Sequence, residues 1–187
     1  VDPLDIVKEY GADTLRLYEM FVGDFEKAAP WSTSSIRGCK RFLDRIWALQ
    51  DNLIDGDTYR ESLVRKMHQT IQKVSNDIET LKFNTAIAAM MELLNEITAT
   101  GSINKAEFRT LLILLNPFAP HITEELYETY CGGILHEQSW PTYDEELCKE
   151  DTIEIVVQIN GKVRCKMNIA VGAEKDAVLE QALAEPK

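Results

Sequence analysis

The chain has 187 residues, of which 45% are apolar and 27% are charged, as in an ordinary globular protein. No apolar run approaches the ~20 residues of a membrane-spanning helix, so the sequence excludes an integral membrane protein of the helical type. The net charge of −11 comes mostly from residues 121–151, which hold nine acids and one base, so other faces of the protein remain free to be basic.

The cysteines are too far apart to form a metal-binding pair. There is no Cys-x-x-Cys motif and no histidine at ligand spacing from any of Cys39, Cys131, Cys148 and Cys165. This spacing predicts reduced, structural thiols in a cytoplasmic protein and argues against a zinc site.

The first two thirds of the chain predict a series of helices. Asp2 as N-cap, Pro3 in the first turn and Gly11 beyond the end predict a helix over residues 3–10. Apolar residues three and four apart predict further helices over 12–22, 36–54, 58–82, 84–99 and 105–115. Short connections between amphipathic helices favour an antiparallel helical bundle.

Two of these helices carry specific expectations about burial. Residues 105–115 are apolar on nearly all sides, which predicts the central helix of the bundle. Trp31, Trp47 and Trp140 are candidates for stacking on nucleic-acid bases. In the helix over 36–54, however, Trp47 falls on the apolar side with Phe42, Leu43 and Ile46, so we expect its indole in the core.

The stretch LLNPFAPHITEELYE, residues 114–128, predicts a sharp corner. Pro117 and Pro120 resist helix continuation, and Pro120 is suited to begin the next helix. His121 is a candidate general base, but the sequence shows no partner for it, so a capping or packing role is the alternative. Glu124, Glu125 and Glu128 are expected to be charges near the helix N-terminus rather than a catalytic pair.

The last part of the chain changes character. Residues 137–152 are irregular and acidic, which predicts a linker or a strap over the bundle, and residues 153–187 predict a hairpin followed by a closing helix. A three-residue loop, 159–161, pairs Val157 with Val163 and Ile155 with Cys165, whereas a two-residue loop pairs Val157 with Arg164. We therefore expect the three-residue loop, with Gly161 in the left-handed position.

The sequence shows no catalytic arrangement, but two groups of basic residues suggest nucleic-acid binding. There is no glycine-rich phosphate loop, metal-binding pair or paired nucleophile and base. In one basic group, three arginines repeat every four residues opposite the apolar side of a helix, with a lysine adjacent, and the other group alternates along a strand. The candidate RNA-binding residues are Arg37, Lys40, Arg41 and Arg45 on the helix, and Lys162, Arg164 and Lys166 on the hairpin. The alternative for each is a solvated face without a ligand.

Several segments together resemble the C-terminal third of bacterial-type leucyl-tRNA synthetases, which are class I aminoacyl-tRNA synthetases. The segments are YGADTLRLYEMF, PW, GCKRFLDRIW, LLNPFAPHITEELYE and VVQINGKVR, and the resemblance covers nearly all of the chain. The related enzymes for valine, isoleucine and methionine share the first and fourth segments, whereas EMFVG and INGKVR point to the leucine enzyme. That family usually has a proline after the glycine at position 23, where this chain has Asp24.

The resemblance implies a mainly α fold, an anticodon-binding-type helical bundle followed by part of a small α+β domain. It implies a stem-contact segment over residues 1–30, the bundle over 31–136, the acidic linker over 137–152 and a truncated C-terminal domain over 153–187. The catalytic and editing domains would lie in the rest of the enzyme, which uses ATP with Mg²⁺ to join leucine to its tRNA in the cytoplasm. The implied role of this chain is to bind and orient a leucine-accepting tRNA, with no cofactor, metal or membrane of its own.

Two alternatives remain open at this stage. The first is that the chain belongs to a valyl-, isoleucyl- or methionyl-tRNA synthetase. The second is that it is a non-catalytic helical module whose acidic residues 121–151 bind a basic protein partner.

Overall fold

The computed structural model describes residues 1–23, 28–150, 152–159, 162–170, 172–173, 178–180 and 182. The chain divides into two compact units, Val1–Cys148 and Lys149–Lys187. The helices are α1 (Pro3–Tyr10), α2 (Ala12–Phe21), α3 (Thr33–Ala48), α4 (Glu61–Glu79), α5 (Phe83–Thr100), α6 (Lys105–Leu115), α7 (Pro120–Tyr130) and the short α8 (Glu145–Cys148). The strands are β1 (Leu53–Ile54), β2 (Ile103–Asn104), β3 (Thr152–Ile159) and β4 (Lys162–Ala170). The predicted fold class is confirmed: a helical bundle is followed by a small part that contains a hairpin.

Helix α6 is the central helix, as predicted. Its apolar side chains Phe108, Leu111, Leu112, Leu114 and Leu115 are all buried. Helices α4 and α5 pack against each other through their apolar stripes, and α2 contacts α3, α5 and α7. Burial of these stripes supplies most of the driving force for the bundle, because isolated helices of this length are marginal in water.

Helix α3 ends earlier than its apolar pattern predicts. It stops at Ala48, a 3₁₀ turn follows over Leu49–Asn52, and Leu53 and Ile54 then pair in parallel with Ile103 and Asn104. The sequence does not reveal this bridge, because the two partner segments are about fifty residues apart.

The prediction that Trp47 is a core residue is wrong, because its indole is 44% exposed. The buried side of α3 is centred near Ile46, with Ile36, Cys39, Phe42 and Leu43. At ~100° per residue, Trp47 lies about a quarter turn from the centre of that side. It therefore sits at the boundary between the core and the solvent-facing surface.

An ion pair between half-buried Arg60 and fully buried Glu107 joins the segment before α4 to the start of α6. Glu107 is fully buried, and its Oε1 accepts from Arg60 N at 2.9 Å and from Arg60 Nε at 2.9 Å. Its Oε2 accepts from the second guanidinium nitrogen of Arg60 at 2.8 Å and from Asn104 N at 3.0 Å. The Arg60 guanidinium also donates to the hydroxyl and the carbonyl of Ser102, each at 2.9 Å. A carboxylate with this many donors can remain charged without contact with water.

The hydrogen-bond network around Glu107 also includes the N-cap of α6. Asn104 Oδ1 accepts from Glu107 N at 2.9 Å, which completes a capping box, and Asn104 Nδ2 donates to Thr58 O at 2.8 Å. A Cβ atom on Gly56 would lie 2.9 Å from Asn104 Nδ2, so the close approach of residue 56 requires a glycine.

The proline corner before α7 is secured from α2. Asp13 Oδ2 accepts from Ile122 N at 2.7 Å, and the Nδ1 atom of His121 lies 2.8 Å from Asp13 Oδ1. Arg16 donates through two guanidinium nitrogens to Pro117 O, at 3.1 and 2.9 Å. Two segments of the chain about a hundred residues apart thus form one structural element, in which Asp13 caps a helix that is not its own.

Residues 137–148 lie along α4. Trp140 Nε1 donates to Ser75 Oγ at 2.8 Å, Asp144 N donates to His68 Nδ1 at 3.0 Å, and Gln69 Nε2 donates to Cys148 O at 2.9 Å. This part of the acidic segment is therefore a strap on the bundle.

The predicted hairpin register is wrong. Val157 pairs with Cys165 and Ile155 with Met167, while Ile159 pairs with Lys162, and the register shifts between Val157 and Gln158. The three-residue loop was predicted because it pairs apolar residues with one another. The register shift also pairs apolar residues with one another, but with a shorter loop. The predicted conformation of Gly161 lies outside the described residues.

The closing helix is described only in part: residues 178–180 and 182 are helical, and its other positions lie outside the described residues. Within the described part of the chain, no helix is both long enough and apolar enough to cross a membrane.

Replacing Glu107 by alanine should lower the free energy of unfolding by about 3–5 kcal/mol, because it leaves the Arg60 guanidinium without its carboxylate. Denaturant unfolding followed by circular dichroism measures this change. The matched control is Glu92→Ala, which breaks an exposed pair with Lys66 and should cost only about 0–1 kcal/mol. Equal costs for the two variants would contradict a dominant role for the buried pair.

The same carboxylate predicts a pH dependence of stability. Burial raises the pKa of Glu107, but the hydrogen bonds from Arg60 and from the amides of Asn104 and Arg60 outweigh burial and leave the pKa lowered. An unfolded glutamate titrates near ~4.3, so the contribution is complete above that pH and is lost as the pH falls through the lower folded pKa. Unfolding measured between about pH 6 and pH 3 should therefore show a shallower loss of stability in Glu107→Gln than in the unsubstituted chain.

Asp13→Ala should loosen the start of α7 by about 0.5–2 kcal/mol, because it removes the acceptor of the Ile122 amide. Hydrogen exchange read at the amides of His121 and Ile122 should accelerate, whereas exchange within α4 should not. Asp5→Ala is the matched control, because Asp5 is an exposed acid in the first turn of α1. Unchanged exchange at Ile122 in the Asp13 variant would contradict the capping role.

Candidate nucleic-acid interface

Helix α3 places the first group of predicted basic residues on one surface. Ser32 caps the helix by accepting from Ser35 N at 3.3 Å, and the buried side then fixes the rotation of the helix about its axis. We call the opposite side the α3 basic face, which carries Arg37, Lys40, Arg41 and Arg45. The structure confirms that these four cations share one side of one helix, although each has different surroundings.

Two of these cations are held by neutral hydroxyl groups. Arg37 is exposed, and a hydrogen bond to the Tyr10 hydroxyl is the main cause that raises its pKa. Arg45 is half-buried and donates to Thr98 Oγ1 at 3.2 Å, while the Thr98 hydroxyl donates to Leu94 O at 2.7 Å. A neutral partner restricts the rotamers of a guanidinium without cancelling its charge, so both side chains remain attractive to a phosphate.

The other two cations differ from these and from each other. Lys40 forms an ion pair with Asp44 one turn later, which neutralises part of its field. Arg41 is exposed, and in the part of the chain that the structure describes its guanidinium has no hydrogen bond or ion pair. Arg41 therefore has the full donor capacity of a guanidinium available for a ligand.

The second basic group belongs to the other compact unit. Arg164 and Lys166 are exposed on β4. Arg164 stands at the register shift, where neither Val157 nor Gln158 pairs with it. Such an irregularity redirects a side chain and is common next to binding sites. The side chain of Lys162 lies outside the described residues.

Sequence reasoning missed the small cavity beside the α3 basic face. It has a volume of about 170 Å³ and is lined by Arg45, Ala48, Leu49, Asn52, Ile97, Thr98, Gly101 and Ser102. The sequence hardly indicates this cavity, because the cavity forms between the ends of α3 and α5 and depends on how these two helices meet. The Tyr10 contact with Arg37 was missed for the same reason.

The histidines take structural roles. His121 contacts Asp13, and His68 accepts from Asp144 N. His136 N donates to Glu124 Oε1 at 3.0 Å. Burial raises the pKa of Glu124, but hydrogen bonds from the ring and amide of His136 and from the amide of Leu135 outweigh it and lower the pKa. The carboxylate thus caps the 3₁₀ turn Leu135–Glu137.

In the part of the chain that the structure describes, the thiols and acids also form no reactive arrangement. Burial raises the pKa of the Cys39 thiol to about 11, which disfavours the reactive thiolate. Among the described residues, no group of three or more histidine, cysteine or acidic side chains could hold a metal ion. What the described surface offers to a ligand is charge and hydrogen-bond donors.

Comparisons with known proteins show which family this chain resembles. The family model described as the anticodon-binding domain of tRNA ligase matches residues 61–179. The leucine–tRNA ligase of Alkaliphilus oremlandii is 52% identical over 182 residues, which cover 97% of this chain and 23% of that protein. The leucine–tRNA ligase of Borrelia hermsii is 40% identical over 190 residues, which cover 100% of this chain and 22% of that protein.

A solved structure is similar over the full length of the chain. It is the crystal structure of the ternary complex of Agrobacterium radiobacter K84 agnB2 LeuRS–tRNA–LeuAMS, with a TM-score of 0.78 and 31% identity, and the match covers 100% of this chain and 27% of that one. The chain thus spans about a quarter of the length of these relatives. The resemblance to leucyl-tRNA synthetases that the sequence motifs suggested is confirmed. Because the family model matches more than half of its residues, the chain belongs to the anticodon-binding domain family of tRNA ligases.

Proposed function

We infer that this chain is the part of a leucine–tRNA ligase that binds and orients a leucine-accepting tRNA. The observation that carries the proposal is the α3 basic face, with its exposed Arg41, in a chain similar to the protein of a LeuRS–tRNA complex. The whole enzyme joins leucine to its tRNA in the cytoplasm with ATP and Mg²⁺. The catalytic and editing domains belong to the remaining length of that enzyme, so the chain by itself is inactive.

The contribution of the chain to the reaction is positional. Phosphate contacts do not carry sequence information, but they fix the register and orientation of the nucleic acid on the protein. Holding the tRNA body at a fixed place presents its acceptor end to a remote catalytic site and reduces the entropy lost at the chemical step. In this assignment residues 1–30 are the stem-contact segment and residues 31–136 are the bundle that holds the tRNA.

The α3 basic face supplies the main contacts of the bundle with the tRNA backbone. Arg41 binds a phosphate with its unoccupied guanidinium, and Arg37 and Arg45 bind from positions restrained by Tyr10 and Thr98. Lys162, Arg164 and Lys166 of the hairpin form a second backbone contact in residues 153–187. These contacts offset the unfavourable net charge of −11 by placing positive charge where the RNA lies.

Arg41→Glu should weaken binding of a leucine-accepting tRNA transcript and reduce the salt dependence of binding. Loss of one phosphate contact lowers the slope of log K against log salt by about 1, and the reversed charge adds repulsion. Filter binding or fluorescence anisotropy at several salt concentrations measures both quantities. Arg164→Glu tests the hairpin contact in the same way.

The matched control is Lys82→Glu. Lys82 is an exposed base on the connection between α4 and α5, so the substitution changes the net charge by the same amount at a site away from the α3 basic face. Equal weakening by Lys82→Glu and Arg41→Glu would contradict a specific contact at α3. If the unsubstituted chain binds no tRNA even at low salt and captures a basic protein instead, the proposal is wrong.

A further inference from the structure

Trp47 differs from the other two tryptophans in lacking a structural partner. Trp31 packs edge-on against Tyr18, with ring centroids 4.8 Å apart, and Trp140 Nε1 donates to Ser75 Oγ. Trp47 is 44% exposed, and within the described residues its indole makes no hydrogen bond and no contact with another aromatic ring. A tryptophan usually satisfies its N–H group when it is part of a core, so this indole is not explained by packing.

The position of Trp47 on the helix places it beside the predicted phosphate contacts. At ~100° per residue, Trp47 and Lys40 fall on the same edge of the α3 basic face. Ala48 lies between Trp47 and Arg41, is exposed, and has only a methyl group. The α3 basic face therefore consists of cations around a small residue, with a large aromatic surface at one edge.

We propose that Trp47 is a stacking platform for an unpaired base of the RNA that the α3 basic face binds. The proposal rests on the proposed function and deepens it, because it assigns a base contact where that function requires only phosphate contacts. Proteins bind the exposed bases of RNA loops and bulges by stacking them on aromatic side chains, next to cations that follow the backbone. Stacking of this kind is tolerant of sequence, since every base has a π-face.

The charges around Trp47 favour RNA over a protein as the molecule that covers it. Among the described residues Arg41 and Arg45 form no ion pair, the charge of Glu9 has only the smallest of the effects on Arg37, and the carboxylate of Asp44 is paired with Lys40. A surface with this excess of positive charge is complementary to a polyanion. A protein partner that covered the same indole would have to bury or pair these cations as well.

The test uses the 187-residue chain with Trp31 and Trp140 both replaced by phenylalanine, so that emission reports on Trp47 alone. A leucine-accepting tRNA transcript should change the emission of Trp47 with saturation and protect it from quenching by acrylamide. A blunt-ended RNA duplex, which has no unpaired base, should bind through the cations and leave the emission unchanged.

Affinity supplies the second measurement, in chains that keep Trp31 and Trp140. Trp47→Ala should weaken tRNA binding by about 5- to 150-fold, the range that one base–aromatic stack contributes, and Trp47→Phe should retain most of the affinity. Thermal unfolding of both variants controls for a loss of fold.

Three results would overturn the proposal: unchanged Trp47 emission at saturating tRNA, the same emission change with the blunt duplex, or equal affinities of Trp47→Ala and the unsubstituted chain. Each is distinguishable from a failure of the proposed function. That function fails when the unsubstituted chain does not bind tRNA or when Arg41→Glu binds it equally well.

Discussion

The rest of the bundle depends on the requirement that the Glu107 carboxylate stay paired inside the core. A buried carboxylate is tolerated only with complete hydrogen bonding, so its donors must arrive together when the chain folds. The donors are the backbone and guanidinium of Arg60 and the amide of Asn104, which join the start of α4 to the start of α6. The same guanidinium also donates to Thr100 Oγ1 at the end of α5. Gly56 permits this convergence, because any Cβ there would collide with Asn104. These helix ends are therefore held together by electrostatics as well as by apolar packing.

A second fixed point determines which side of α3 faces solvent. Asp13 and Arg16 of α2 bind the corner between α6 and α7, so α2 and α7 have one relative position, and α3 packs against both. This packing buries the apolar side of α3. The cations opposite it are presented from a rigid helix, and contacts made from rigid elements are more accurate than contacts made from loops.

The sequence predicted what depends on local periodicity and failed where distant segments decide the outcome. The capped first helix, the central position of residues 105–115, the proline corner and the shared side of Arg37 and Arg41 all follow from spacing along one element. The end of α3 depends instead on a parallel bridge to β2, and the hairpin register depends on an irregularity that shifts the pairing by one residue. The exposure of Trp47 was missed because a residue at the boundary of an apolar side is buried or exposed according to the neighbouring helices.

The sequence likewise does not predict which side chains contact the cations of α3. These contacts change how the charge pattern should be interpreted. A hydroxyl partner, as for Arg37 and Arg45, restrains the guanidinium and leaves its charge intact, so less rotamer entropy is lost when a phosphate binds. A carboxylate partner, as for Lys40, cancels charge, and a phosphate must compete with Asp44 for the ammonium group. The four basic residues of α3 are therefore unequal. In the proposed function, the three arginines supply most of the attraction of the α3 basic face for RNA, and the Lys40–Asp44 pair weakens that attraction on the side of Trp47.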